Sequence, residues 1–233
     1  LLILFPDWIH NGGPEKLKQA LRNEDARSRL RAEIVPRSQS WHDMWLTYFK
    51  KPENHQYEGQ SIASLAASRG VHPVDAMCDV LLEEDLQTCF VMAGANGLSL
   101  PAFVTHPLSM VGSDAVLLGD FPSPRTYGCF PIILSEYVRE EKQISMPQAI
   151  RKMTSFPAQR LGIPDRGILR DGMKADITIF DPEKIKAPAT RTEPKQSSLG
   201  IPYVIVNGTL VINKGKHTGQ LPGRALRHGR AST

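Results

Sequence analysis

At Gly167 the sequence changes texture. Before it, apolar residues recur at helical spacing, separated by short apolar runs of strand length. After it, glycine-marked turns separate short β-rich runs at 177–180, 203–206 and 209–212. Asn207-Gly208 between the last two favours a type I′ hairpin, because both turn positions need positive φ. The stretch PEKIKAPATRTEPKQSSLG, 182–200, is polar and proline-rich and reads as a loop. Alternating strand and helix followed by an all-β run implies an α/β portion over residues 1–165 and a small, β-sandwich-like unit over 166–233.

Local signals place the helices. Asn11-Gly12-Gly13-Pro14 forms a turn with proline at a first helical position, ahead of Leu17, Ala20 and Leu21. A second helix fits 24–34, with Leu30 and Ile34 inward and Pro36 as its stop. Residues 35–60 show no period and read as an extended or irregular stretch crossing the core. Ser61 caps a helix that runs to Arg69 and ends at Gly70. Pro73 opens the next, whose stripe of Val74, Met77, Cys78, Leu81 and Leu82 marks Cys78 as core rather than nucleophile. Strands fit 89–92 and 108–111, with a short helix or loop between them. Helices fit 132–142, a capping box from Ser145 to Gln148, and a last turn from Pro157 to Gly162.

Composition excludes several classes. Charges or prolines interrupt every apolar run well short of the roughly 18 residues of a membrane span, so no membrane partner is expected. Cys78, Cys89 and Cys129 are odd in number and share no CxxC spacing, which argues against a disulfide framework or thiolate zinc site and for a reducing cytoplasm. Residues 183–233 carry a net charge of +7 against −3 for 1–182. The basic residues lie among glycines and a proline without interleaved aromatics, so a solvated face is expected rather than a nucleic-acid surface. The chain opens on Leu1, and LLILFPDW is too short and lacks the basic flank of a signal peptide. The gene product is therefore expected to begin upstream.

The candidate chemistry lies in Met110-Val111-Gly112-Ser113-Asp114. An apolar run ending in Gly-Ser-Asp sets a carboxylate where a strand turns into a loop, the edge at which reacting groups collect in a parallel α/β barrel. Eleven residues on, Pro122-Ser123-Pro124-Arg125-Thr126-Tyr127-Gly128 reads as a rigid loop presenting one guanidinium, suited to bidentate capture of a carboxylate. A strand-terminal aspartate also caps helices, and loop arginines are commonly solvated. Spacing alone does not choose between these readings.

LFPDWIHNGGPEKLKQALRNEDARSRLRAEI, MVGSDA, PSPRTYGCFP and AIRKMTSFPAQRLGIPDRGILRDGMKADITIFDP, with the closing IPYVIVNGTLVINKGKHTGQLPGRALR, together resemble the D-aminoacylase (N-acyl-D-amino-acid deacylase) branch of the amidohydrolase superfamily. GILRDGMKADITIFD is generic to the superfamily; the first segment, the PSPRTYG loop and the HTG…PGR ending point to the branch. The resemblance implies the C-terminal part of a metal-dependent (β/α)8 barrel over 1–165, with a flanking small β domain. It implies hydrolysis of the amide of an N-acyl-D-amino acid by zinc-activated water. Asp114 falls on the family's proton-shuttling aspartate, a candidate weak metal ligand, and Arg125 on an arginine expected to hold the substrate's α-carboxylate. Ala115 departs from the family's usual glycine there.

The other metal ligands of that family are expected upstream of Leu1, in an N-terminal half that this chain would need as its partner. None of the seven histidines lies at HxH or HExxH spacing, so no zinc is expected to be held securely by this chain alone, which is expected to be inactive by itself. Two other readings stand beside the deacylase: a non-catalytic binding or structural module that keeps the fold, and a hydantoinase- or dihydroorotase-like amidohydrolase.

Overall fold

The computed structural model describes residues 1–34, 40–92 and 99–227. Pro36, expected to stop a helix, lies outside them. The chain divides into two compact units. The first comprises Leu1–Gly94, Val116–Ser123 and Arg191–Lys195, and the second Ala95–Ala115, Pro124–Thr190 and Gln196–Thr233.

In the first unit, α1 (Asp7–His10), α2 (Gly13–Arg22) and α3 (Glu24–Glu33) precede a two-stranded sheet of β1 (Met44–Phe49) and β2 (Thr88–Met92). Between the strands come a 3-10 turn at Pro52–Tyr57 and helices α4 (Ile62–Arg69) and α5 (Pro73–Glu83). The expected caps are in place. Ser61 accepts from the Ser64 amide at 3.0 Å, and Gly70 closes α4 in the left-handed region. His72 caps α5 by accepting from the Val74 amide at 3.2 Å. Leu17, Leu21 and Leu30 share one core with Val74, Met77, Cys78 and Leu81, each large apolar side chain contributing about 1.5–3 kcal/mol by its burial. Arg27 and Arg31 tie α3 to α5 through Asp79 at 2.7 Å and Asp75 at 2.8 Å. As expected, Cys78 belongs to the core, and burial pushes its thiol up to about 12.

Part of the 35–60 stretch, expected to be extended or irregular, is more regular than that. Residues 44–49 form β1, antiparallel to β2 with Met44 opposite Met92 and Phe49 opposite Thr88. All but one of its residues are buried, so inward and outward positions do not alternate and the period-2 signal is lost. Two carboxylates brace the region. Buried Glu84 accepts from the amides of Lys50 at 2.6 Å and Lys51 at 2.9 Å, and from the Asn54 side chain. Glu58 accepts from the amides of Phe49 at 3.1 Å and Asp120 at 2.5 Å. Beside the latter, Gly119 has φ +73, and a Cβ there would lie 1.9 Å from the Thr47 carbonyl oxygen, so only glycine lets these backbones approach.

The second unit holds α6 (Ser99–Thr105), α7 (Arg125–Ile132), a π-helical turn at Ile133–Glu140, α8 (Met146–Met153) and α9 (Ser155–Arg160). Strands β3 (Ile177–Ile179), β4 (Tyr203–Val206), β5 (Thr209–Asn213) and β6 (Lys216–His217) follow. Ile133, Leu134, Tyr137, Ile144, Ala149 and Ile185 form its core. The Ser145–Gln148 capping box is present in both directions. The four strands pair antiparallel in chain order. Asn207 (φ 48) and Gly208 (φ 79) make the expected hairpin turn. It is locked by the Asn207 amide on Asp176 at 2.7 Å and by Arg166 on Asn207 at 2.6 Å.

Two expectations fail here. Residues 108–111 form no strand: among the described residues they meet no partner strand, and the Val111 amide instead donates to the Lys152 carbonyl at 3.2 Å. The helix expected over 132–142 starts earlier, at Arg125, which is thus the first residue of α7 and not a loop residue. Pro131 lies inside that helix and has no amide to donate, and the wider π spacing follows directly after it. Helices and sheets mix as an α/β class requires. All strand pairings among the described residues are antiparallel. No helix among them is long and apolar enough to cross a membrane.

Candidate active site

The approach to Asp114 is an irregular segment held by side chains. Ser109 donates its amide to the His106 carbonyl at 3.1 Å, and His106 Nδ1 accepts from the Leu108 amide at 3.3 Å. Lys152 of α8, only 3% exposed, donates to the carbonyls of His106 and Ser109 and to the Ser109 hydroxyl, the last two at 3.1 and 2.7 Å. Cys129 of α7 donates its thiol to the Gly112 carbonyl at 3.5 Å, and burial pushes that thiol above the ordinary cysteine range.

Asp114 itself has φ 45, in the left-handed region, where an L residue other than Gly, Asn or Asp is strained. Its carboxylate is 82% exposed and accepts from Arg125 Nη2 at 2.5 Å. The Arg125 side chain is 50% exposed. An ion pair this open contributes about 0–1 kcal/mol, so it does not hold the fold together. The two residues singled out in the sequence therefore meet, and they meet as each other's partner. As a unit they present one proton acceptor and one bidentate anion donor at an accessible surface.

Zinc needs several converging His, Cys or carboxylate ligands. Among the described residues, no group of three or more such side chains could hold a metal ion. The imidazoles of His10, His55, His72 and His217 are engaged in hydrogen bonds with nearby backbone. The described residues thus do not make a zinc site.

Sequence reasoning missed Lys152. The available signal was a lysine three residues after Ala149 in a helix whose apolar side faces inward, where a cation needs buried acceptors.

The amidohydrolase family model matches residues 40–212. N-acyl-D-aspartate deacylase of Alcaligenes xylosoxydans xylosoxydans is 42% identical over 128 residues, covering 54% of this chain and 26% of the relative. The solved structure of D-aminoacylase superposes with a TM-score of 0.71 at 28% identity, covering 79% of this chain and 38% of that one. N-acyl-D-glutamate deacylase of Bordetella bronchiseptica, solved with zinc and a phosphonate mimic of the tetrahedral intermediate, gives 0.66 at 32% identity, covering 73% and 34%. The chain spans about a third of the length of these proteins. With a family match over most of its residues, the chain belongs to the amidohydrolase family, and its likeness falls on the D-aminoacylase, or N-acyl-D-amino-acid deacylase, branch.

Proposed function

We propose that residues 1–165 are the C-terminal part of a (β/α)8 amidohydrolase barrel and residues 166–233 a small all-β unit beside it. The enzyme they serve hydrolyses the amide of an N-acyl-D-amino acid, releasing a D-amino acid and a carboxylate. The observation that carries this reading is the meeting of Asp114 and Arg125 at 2.5 Å on an exposed, left-handed turn. The deacylase relatives support the substrate class.

In the proposed reaction a water oxygen bonds to the acyl carbon and the C–N bond breaks. Asp114 takes a proton from the water and delivers it to the departing nitrogen, ending as it began. Arg125 receives the substrate's α-carboxylate in a two-point hydrogen bond. Arg125 pairs with Asp114, so a substrate carboxylate on the guanidinium would compete with Asp114 and leave it open for proton transfer.

Zinc is the cofactor expected of the whole enzyme, by likeness to the zinc-bound relative. Its ligands are assigned to the part of the fold that precedes this chain, which is proposed to be inactive by itself. The three free cysteines support a reducing, cytoplasmic setting.

In the full-length enzyme, Asp114→Asn is expected to lower kcat on N-acyl-D-amino acids by about 10²–10⁴-fold with zinc retained. Arg125→Ala is expected to raise KM about tenfold or more on these substrates and much less on an analogue lacking the α-carboxylate. Full turnover in the first variant, or equal effects on both substrates in the second, overturns the assignment. Absence of turnover by the zinc-loaded, full-length wild type favours a non-catalytic module instead. Metal analysis of the 233-residue chain is expected to find no tight stoichiometric zinc; finding it defeats the division of ligands.

A further inference from the structure

We infer that Lys152 is a positioning residue for the active-site turn: its buried ammonium fixes the 106–111 segment and so sets where Asp114 stands. The inference rests on the proposed role of Asp114.

The geometry is specific. An ammonium offers three N–H donors, and here its three acceptors are the His106 carbonyl, the Ser109 carbonyl and the Ser109 hydroxyl. All belong to one four-residue stretch that ends five residues before Asp114. The main chain of the same lysine adds a fourth tie, its carbonyl accepting from the Val111 amide at 3.2 Å. Residues 109–118 have no helix or strand of their own, so little else fixes their backbone. Gly112 receives one further, weaker tie from the Cys129 thiol.

A lysine is a poor choice for filling space here. Burial, with the Arg151 charge beside it, pushes its pKa below the usual lysine range, so keeping the cation inside is costly. A leucine or methionine would fill a buried position without that cost. What only a cation or an equivalent donor set supplies is simultaneous capture of three oxygens on the neighbouring segment. The cost is then offset by ordering the irregular approach to Asp114, in the way preorganised groups support a reacting one.

The test uses the full-length enzyme with Lys152→Met, which keeps the stem and removes the donors, and Ser109→Ala, which removes one acceptor and leaves α8 intact. Amide hydrogen exchange is followed by mass spectrometry, and kcat and KM are measured on an N-acyl-D-amino acid. For Lys152→Met, exchange over 106–114 is expected to rise about tenfold with 177–217 unchanged, and kcat to fall about tenfold with KM within about twofold. Ser109→Ala is expected to act in the same direction, about threefold in each. Should Lys152→Met fail to fold, Ser109→Ala decides alone. Exchange over 106–114 that rises no more than elsewhere overturns the tether. Raised exchange with unchanged kcat overturns its link to Asp114. A wild type that cleaves no such substrate, or a fully active Asp114→Asn, refutes the proposed function instead, and the exchange data still judge the tether.

Discussion

Glu84 and Asp114 are both carboxylates that hold nitrogen donors, and they are built in opposite ways. Glu84, in the first unit, is 0% exposed, and two backbone amides and the Asn54 side chain converge on it. Asp114, in the second, is 82% exposed, accepts from the exposed side chain of Arg125, and stands on a left-handed backbone. A carboxylate enclosed by donors is a structural brace, since every oxygen is committed and water cannot reach it. A carboxylate in the open with one exchangeable partner contributes little to folding and keeps its oxygens free for another molecule.

The contrast can be broken by measurement. Glu84→Ala is expected to cost about 3 kcal/mol of stability, because it strands the buried Asn54 donor and two partly buried backbone amides at about 1–3 kcal/mol each. Chemical denaturation measures this, and a loss under about 1 kcal/mol would show that the brace is replaceable. Asp114→Asn is expected to change stability by less than about 0.5 kcal/mol, since asparagine tolerates the same backbone and the lost ion pair is open to water. A drop as large as that for Glu84→Ala would make Asp114 structural too.

The smallest effect is expected at a third carboxylate. Lys195 lies beside Asp120 at 2.6 Å and holds its carboxyl below the usual carboxylate range. A depressed folded-state pKa adds stability that is present above the ordinary value of 3.8 and is lost as pH falls through the lower, folded one. Acid unfolding of Lys195→Met should therefore differ slightly from wild type near neutrality, and the two curves should merge once the pH has fallen through the lowered, folded-state value. A difference that grows with acid contradicts the sign.

What could be read from the sequence was local. The caps at Ser61 and Ser145, the stripe from Val74 to Leu81 and the Asn207-Gly208 turn each need only neighbours within a few residues, and each is in place. β1 escaped because a strand buried on both faces loses its alternation. The failed strand at 108–111 shows the converse: an apolar run becomes a strand only if a partner lies alongside, which pattern does not report. Arg125 reads as a loop residue because Pro122, Pro124 and Gly128 bracket it; Pro124 before the first turn instead opens α7, and Pro131 within the helix is absorbed ahead of a π turn. Asp114 and Arg125 were legible as candidates through residue type and resemblance. That they pair with each other, and that Lys152 braces the approach, depends on contacts 11 and 43 to 46 residues apart in sequence.

The left-handed backbone at Asp114 has a consequence for which residues this position can accept. The proposed proton transfer demands a carboxylate, which admits aspartate and glutamate. A φ of 45 favours glycine or a short polar side chain able to bond locally, such as asparagine or aspartate. Aspartate is the residue that meets both preferences. Glutamate keeps the charge but forfeits the turn at about 1–2 kcal/mol, and asparagine keeps the turn but forfeits the proton acceptor. The position is doubly filtered: the proposed chemistry and the backbone together favour aspartate.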